Sequence, residues 1–127
     1  GVGKALPAVL KAAKLQKKAS KVGFDWQDTT GITEKIDEEL AEVREELAKH
    51  EKGTPASREL QAEIGDLLFI VTNLARKLEI DPEVALESTN EKFLHRFKQI
   101  EEGLKKDQIT LEEATLEQMD AHWNSAK

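Results

Sequence analysis

Cysteine and tyrosine are both missing from this chain. Without a thiol there is neither a disulfide framework nor a thiolate metal site, so packing alone must hold the fold. Proline occurs three times and aromatic residues make up only 5% of the sequence, which leaves long stretches free of helix breakers. No apolar run approaches the roughly 18–20 residues of a membrane span, and no signal peptide is recognisable, so the expectation is a soluble cytoplasmic protein. A Gly-rich phosphate loop is absent too. His50, His95 and His122 are scattered, and none makes the Glu-x-x-His pair of a di-iron carboxylate bundle.

What the chain has in quantity is charge. Charged residues account for 35% of its 127 positions and apolar ones for 39%, a balance that suits a single all-helical domain, 1–127, with a modest core and well-solvated faces. The formal net charge of −6 hides an asymmetry, because Lys4, Lys11, Lys14, Lys17, Lys18 and Lys21 lie in the first 23 residues with no acid among them. A basic opening segment can bind nucleic acid. In a chain this acidic, complementing its own acidic helices, a partner subunit or a polyphosphate ranks above that.

The helical stretches can be bounded by their punctuation. Pro7 and Gly23 frame a first helix with Leu6, Leu10 and Ala13 on its apolar side. The loop GFDWQDTTG follows, where Phe24 and Trp26 either plug the end of a bundle or line a base pocket. Thr33 is the expected N-cap of a second helix that runs to about Lys49. Thr54 with Pro55 is expected to open a third that ends near Glu79. Asp81 and Pro82 start a fourth that reaches about Lys106, and a short fifth opens at Thr110 or at Thr115, where TLEQ has the form of a capping box.

Two acidic clusters stand out on these helices. In the second helix Ile36, Leu40, Val43 and Leu47 define the apolar stripe; Glu39 and Glu42 fall on one flank of it, co-facial and half-buried, while Glu38 and Glu45 lie nearly opposite. In the third, Leu60, Ile64, Leu67, Val71, Leu74 and Leu78 form the stripe, and Glu63 and Asp66 occupy the matching flank. Two helices packed along these stripes bring four carboxylates together. Such a cluster repels itself unless it takes up protons or cations, and hard divalent ions with oxygen ligands, Mg²⁺ first, are its natural partners. Gly65 inside the second cluster costs helix propensity and is expected to mark a close approach.

On the fourth helix Leu86, Phe93, Phe97, Ile100 and Leu104 make the stripe, flanked by the i,i+4 pair Lys92 and Arg96. That pair is either a salt-bridged face or a phosphate grip, since Arg offers a bidentate fork and Lys a point charge. Asn90 falls near the stripe, where it would be a buried amide needing partners. Trp123 is at helical spacing from Leu116 and Met119 as a core residue of the last helix. Lys35 sits one turn before Glu39, placed to be a counter-ion or a phosphate ligand.

Taken together, EExxE at Glu38, Glu39 and Glu42 followed by ExxD at Glu63 and Asp66 resembles the signature of MazG-type all-α nucleoside triphosphate pyrophosphohydrolases. KVGFDW, GDLLF, NLAR, DPEVAL, NEKFLHRF and the near-terminal Trp123 extend the resemblance over essentially the whole chain, closest to the C-terminal catalytic domain of two-domain bacterial MazG proteins. It implies a bundle of four main helices plus a short C-terminal one, assembling as a homodimer, and a chain excised from a longer protein. It also implies broad hydrolysis of nucleoside triphosphates to monophosphate and pyrophosphate with Mg²⁺, for which Mn²⁺ can substitute. Glu39, Glu42, Glu63 and Asp66 would hold the metal, and Glu38 and Glu39 would act in catalysis, Glu38 as a second-metal ligand, a general base or a neighbour that tunes the field; Lys92, Arg96, Trp123 and Trp26 would contact the nucleotide, with Asn90 and Lys35 added as candidates by their positions alone. Two alternatives remain: a narrower relative acting on dUTP or phosphoribosyl-ATP, and a non-catalytic helical interaction module.

Overall fold

The computed structural model of the protein describes residues 6–126, and within them every regular element is a helix. These are α1 (Ala8–Ser20), α2 (Thr29–Lys49), α3 (Arg58–Lys77), α4 (Pro82–Lys106) and α5 (Leu116–Ser125). The all-α expectation is met. The chain divides into two compact units, Gly1–Val84 and Ala85–Lys127.

In the first unit α3 is the central element, packed against both α1 and α2. Ile32 and Val43 of α2 and Leu60 and Ile70 of α3 are buried, the spacings that an amphipathic helix turns toward a neighbour. Leu47, Ile64, Val71 and Leu78, expected on the buried stripes, are substantially exposed instead. The wheel assigns them an apolar face, and within the first unit, among the described residues, the contacts of α3 with α1 and α2 leave these side chains open.

Helix starts differ from expectation in two places. Asp28, not Thr33, caps α2, its carboxylate accepting from the Gly31 N–H, and this adds a turn to the helix. Ser57, not Thr54, caps α3 by accepting from the Leu60 N–H. In both cases a side-chain acceptor that reaches the N3 amide outcompetes a residue placed only by its neighbours in sequence. Asp81 caps α4 as expected, bonding the Glu83 and Val84 amides. Thr115 and Gln118 form the full capping box of α5. Gly23 ends the α1 turn at φ 89°, a conformation that costs glycine nothing.

In the second unit Ile100 and Leu104 are the buried apolar residues of α4. Side chains tie α5 to α4: Phe93 stacks on Phe97 and lies 5.7 Å from Trp123, and His122 Nε2 is 2.8 Å from an Asp107 oxygen. Among the described residues no helix is long and apolar enough to cross a membrane.

Candidate functional site

α2 and α3 run side by side, and their contact brings the two acidic clusters together. One carboxylate oxygen from each of Glu39, Glu63 and Asp66 lies within 4.8 Å of the others. Glu39 is 6% exposed, far more enclosed than a wheel alone suggests, whereas Glu42 and Asp66 are exposed rather than half-buried. Packing of α2 on α3 covers Glu39, whose carboxylate lies among those of Glu63 and Asp66 from α3, and leaves Glu42 and Asp66 open to solvent.

The electrostatics of this group are under tension. Glu63 is pushed up to about 7, first by a hydrogen bond shared with the Glu42 carboxyl, then by burial and by the charges of Glu42, Asp66 and Glu39. Oε2 of Glu39 and Oε2 of Glu63 are both buried without a hydrogen-bond partner, and an unpaired buried carboxylate oxygen is costly. Lys35 relieves part of the repulsion, its Nζ 3.2 Å from Glu39 and 3.8 Å from Glu38. The hydrogen bond to Glu39 is the main reason the Lys35 ammonium is held above its usual value. Bare, converging oxygens with one nearby ammonium are a donor set that fits a hard divalent ion.

A cleft of about 690 Å³ opens beside these acids, within the first unit. Glu39, Asp66 and Lys35 lie on its wall, and so do Gln16, Phe69, Asn73, Phe24 and Trp26. The loop carrying both aromatics is pinned to the end of α3. Asp25 bonds Arg76 through both carboxylate oxygens and Lys77 at 3.1 Å, and Lys77 also donates to the Trp26 carbonyl at 2.6 Å. These cations, Arg76 foremost, lower the Asp25 carboxyl to about 2. The Trp26 ring packs on Gly31, where an added Cβ would sit 3.0 Å from it. Trp26 therefore buttresses α2 and lines the cleft at once, while Phe24, also on the cleft wall, is 82% exposed among the described residues.

The remaining sequence candidates lie elsewhere. Glu38 is on the outer side of α2, in contact with Lys35. In the second unit Lys92 is exposed, and Arg96 lies over the Trp123 ring at 3.6 Å from its centre, donating to the Trp123 carbonyl at 2.9 Å. Lys92 and Arg96 share a shallow depression with Ser88, Glu91, His95 and Ala126. Asn90 is exposed, not buried as its position near the stripe suggested, because the Leu86 and Phe93 flank of α4 is itself open. Gly65 faces open space, with nothing within 4 Å of an added Cβ, so no close approach among the described residues explains it.

Sequence reasoning gave no site role to Gln16, nor to Asp25, Asn73 and Arg76, although the last three lie in the KVGFDW and NLAR motifs. For Gln16 a signal was available: it stands three or four residues from Ala12, Ala13 and Ala19, an uncharged polar residue on an alanine face of a lysine-rich helix. The other three are recognisable only once loop and helix are folded together.

A family model described as the MazG nucleotide pyrophosphohydrolase domain matches residues 27–101, from the loop after α1 through most of α4. The chain belongs to the MazG family. Its relatives include a Thermotoga maritima protein named nucleoside triphosphate pyrophosphohydrolase/pyrophosphatase MazG, 48% identical over 96% of this chain and 45% of its own length. An Escherichia coli K12 protein named nucleoside triphosphate pyrophosphohydrolase is 36% identical over 99% of this chain and 47% of its own. The uncharacterized Bacillus subtilis protein YabN is 50% identical over 99% of this chain and 25% of its own length. This MazG domain thus spans under half the length of each of these relatives.

Proposed function

We propose that this domain hydrolyses nucleoside triphosphates to the monophosphate and pyrophosphate, with Mg²⁺ or Mn²⁺ held by Glu39, Glu63 and Asp66 and supported by Glu42. The observation that carries the reading is the convergence of three carboxylates, two with bare buried oxygens, beside a cleft large enough for a nucleotide whose wall includes Glu39 and Asp66. Membership of the MazG family and the names of the Thermotoga maritima and Escherichia coli relatives support it. When bound, the ion supplies neutralisation of phosphate charge and acidification of water.

The chain's own residues then have definable tasks. Glu39 and Asp66 line the cleft and, with Glu63, would hold the ion beside the triphosphate. Lys35, already paired with Glu38 and Glu39, contributes positive charge beside the phosphates. Glu38, exposed on the outer side of α2 and paired with Lys35, enters as a catalytic residue on the sequence resemblance alone. Trp26 offers an aromatic wall for the base. Lys92, Arg96 and Trp123 enter as nucleotide contacts on the sequence resemblance alone, and Asn90 on its position in the sequence. Broad specificity, a cytoplasmic setting and a homodimer belong to the same proposal; Leu68 at 62% and Val71 at 47% exposure leave α3 with apolar surface for a second copy.

The test is incubation of the purified chain with a panel of nucleoside triphosphates, Mg²⁺ and ¹⁸O-labelled water. Monophosphate and pyrophosphate, with label in one of them, are the expected products. Orthophosphate release, or no turnover of any nucleotide by protein that binds Mg²⁺, overturns the reading. Light scattering at micromolar concentration checks the dimer, which a monomeric mass would exclude.

A further inference from the structure

The Asp25 carboxylate stands on the wall of the acid-lined cleft, yet it has no capacity left for a metal ion. Its Oδ1 accepts from the Trp26 N–H at 2.8 Å and from Arg76 Nη2 at 2.5 Å. Its Oδ2 accepts from Arg76 Nη1 at 3.3 Å and from Lys77 Nζ at 3.1 Å. A carboxylate offers about four lone-pair sites, and here each has a donor. Asp25 thus differs from Glu39 and Glu63, each of which keeps a bare buried oxygen. What four donors in fixed directions supply is position: an ion pair near the surface adds little stability, whereas a guanidinium fork fixes geometry.

The object positioned is the loop that carries Trp26. Among the described residues, the side-chain hydrogen bonds between α3 and this loop all involve Asp25 or Lys77, whose Nζ also donates to the Trp26 carbonyl at 2.6 Å. Arg76 is itself braced, its Nε donating to Asn73 Oδ1 at 2.8 Å. The Trp26 ring meets Gly31 of α2, where an added Cβ would stand 3.0 Å from it. The residue is therefore held by α3 through its backbone and by α2 through its ring, and it forms cleft wall together with Phe69 and Ile70. An aromatic wall fixed in advance favours binding, because a loop that must be ordered around its ligand costs entropy at that moment. Lys77 is not itself on the cleft wall and bears on it only through this loop.

We propose that Asp25 is a positioning residue for the nucleotide: tied to Arg76 and Lys77 of α3, it holds the Trp26 indole in place as a fixed wall of the cleft, and nucleotide affinity depends on that tie. The proposal rests on the pyrophosphohydrolase reading above. Asp25 acts through Trp26 and takes no part in the chemistry, so its loss weakens ground-state and transition-state binding alike and appears in KM, not in kcat.

The experiment compares Asp25→Asn and Lys77→Met with the wild-type chain, using ATP, GTP, CTP and UTP with Mg²⁺. For each nucleotide that the wild type hydrolyses, Asp25→Asn raises KM by about fivefold or more and leaves kcat within about twofold. Mg²⁺ affinity without nucleotide is unchanged. Lys77→Met shifts KM in the same direction. In a Trp123→Phe background Trp26 is the sole tryptophan, and acrylamide quenches its fluorescence more strongly in both variants. An unchanged KM in Asp25→Asn overturns the proposal. So does a raised KM without increased quenching, which marks Asp25 as a direct nucleotide contact, and so does a joint fall in kcat and Mg²⁺ affinity, which marks it as a general support of the fold. If Asp25→Asn does not fold, Lys77→Met decides on the same readings. If no nucleotide is hydrolysed, the pyrophosphohydrolase reading fails, and calorimetric affinities of wild type and Lys77→Met for the same nucleotides still test Asp25. Equal affinities, or no binding by the wild type, then overturn it.

Discussion

The guanidinium of Arg96 lies over the indole of Trp123, 3.6 Å from the ring centre, and donates to the same residue's carbonyl oxygen at 2.9 Å. Two helices are joined by one residue pair in two ways, and a lysine can reproduce neither the planar stacking nor the fork. Arg96→Ala and Arg96→Lys should therefore both loosen α5, each costing about 1–2 kcal/mol. Amide hydrogen exchange across Leu116–Ser125 reads this directly. Unchanged protection in Arg96→Ala would show that the contact does not hold α5.

The acidic group separates into members of unequal weight. Glu39→Gln, Glu63→Gln and Asp66→Asn should each weaken Mg²⁺ binding by about tenfold or more, since each loses one of the three converging oxygens. Glu42→Gln should cost less, because Glu42 acts on the group through its hydrogen bond to Glu63. Titration calorimetry ranks the four, and a ranking led by Glu42 would contradict this geometry.

The raised Glu63 fixes the sign of a pH effect. Its carboxyl sits at about 7 in the folded chain against an ordinary value of 4.5, so between those values the folded state binds the proton that the unfolded state has released. Stability of the metal-free protein should accordingly fall as pH rises from about 4.5 through 7. Mg²⁺ affinity should rise over the same window as the proton competing for the site is lost. Denaturant titrations in chelator at pH 5 and pH 8 test the first statement, and Glu63→Gln should flatten the difference. A wild-type protein more stable at pH 8 than at pH 5 would exclude this account.

Two helical glycines have opposite expectations. An added Cβ at Gly103 would overlap the His122 imidazole, whereas at Gly65 it meets open space. Gly103→Ala should push His122 away from Asp107 and destabilise by about 1–3 kcal/mol. Gly65→Ala should stabilise by about 1 kcal/mol through helix propensity alone. Thermal melts of the two variants in chelator make the comparison, and loss of stability in Gly65→Ala would reveal a neighbour outside the described residues or in another copy.

The sequence by itself determined the helices and the chemistry placed on them. Period-3.6 stripes, Asp81 with Pro82, and the Thr115 capping box are local instructions, readable because each depends on residues within a turn or two. The acids were legible for the same reason: a fixed rotation per residue places Glu39 against Glu42, and Glu63 against Asp66, whatever the helices later touch. Caps were less secure, since Asp28 and Thr33, or Ser57 and Thr54, compete for the same amides and only the folded chain picks the winner. What tertiary structure decided is how deep each side chain sits. Packing of α2 on α3 enclosed Glu39 and left Glu42 and Asp66 outside, and it set Glu63 against Glu42. Packing of α1 on α3 gave the Gln16 amide one partner and withheld the other. The ties from Asp25 to Arg76 and Lys77 span more than 50 residues of sequence. Burial and long-range hydrogen bonds depend on which surfaces meet, and a helical wheel holds no information about its neighbour.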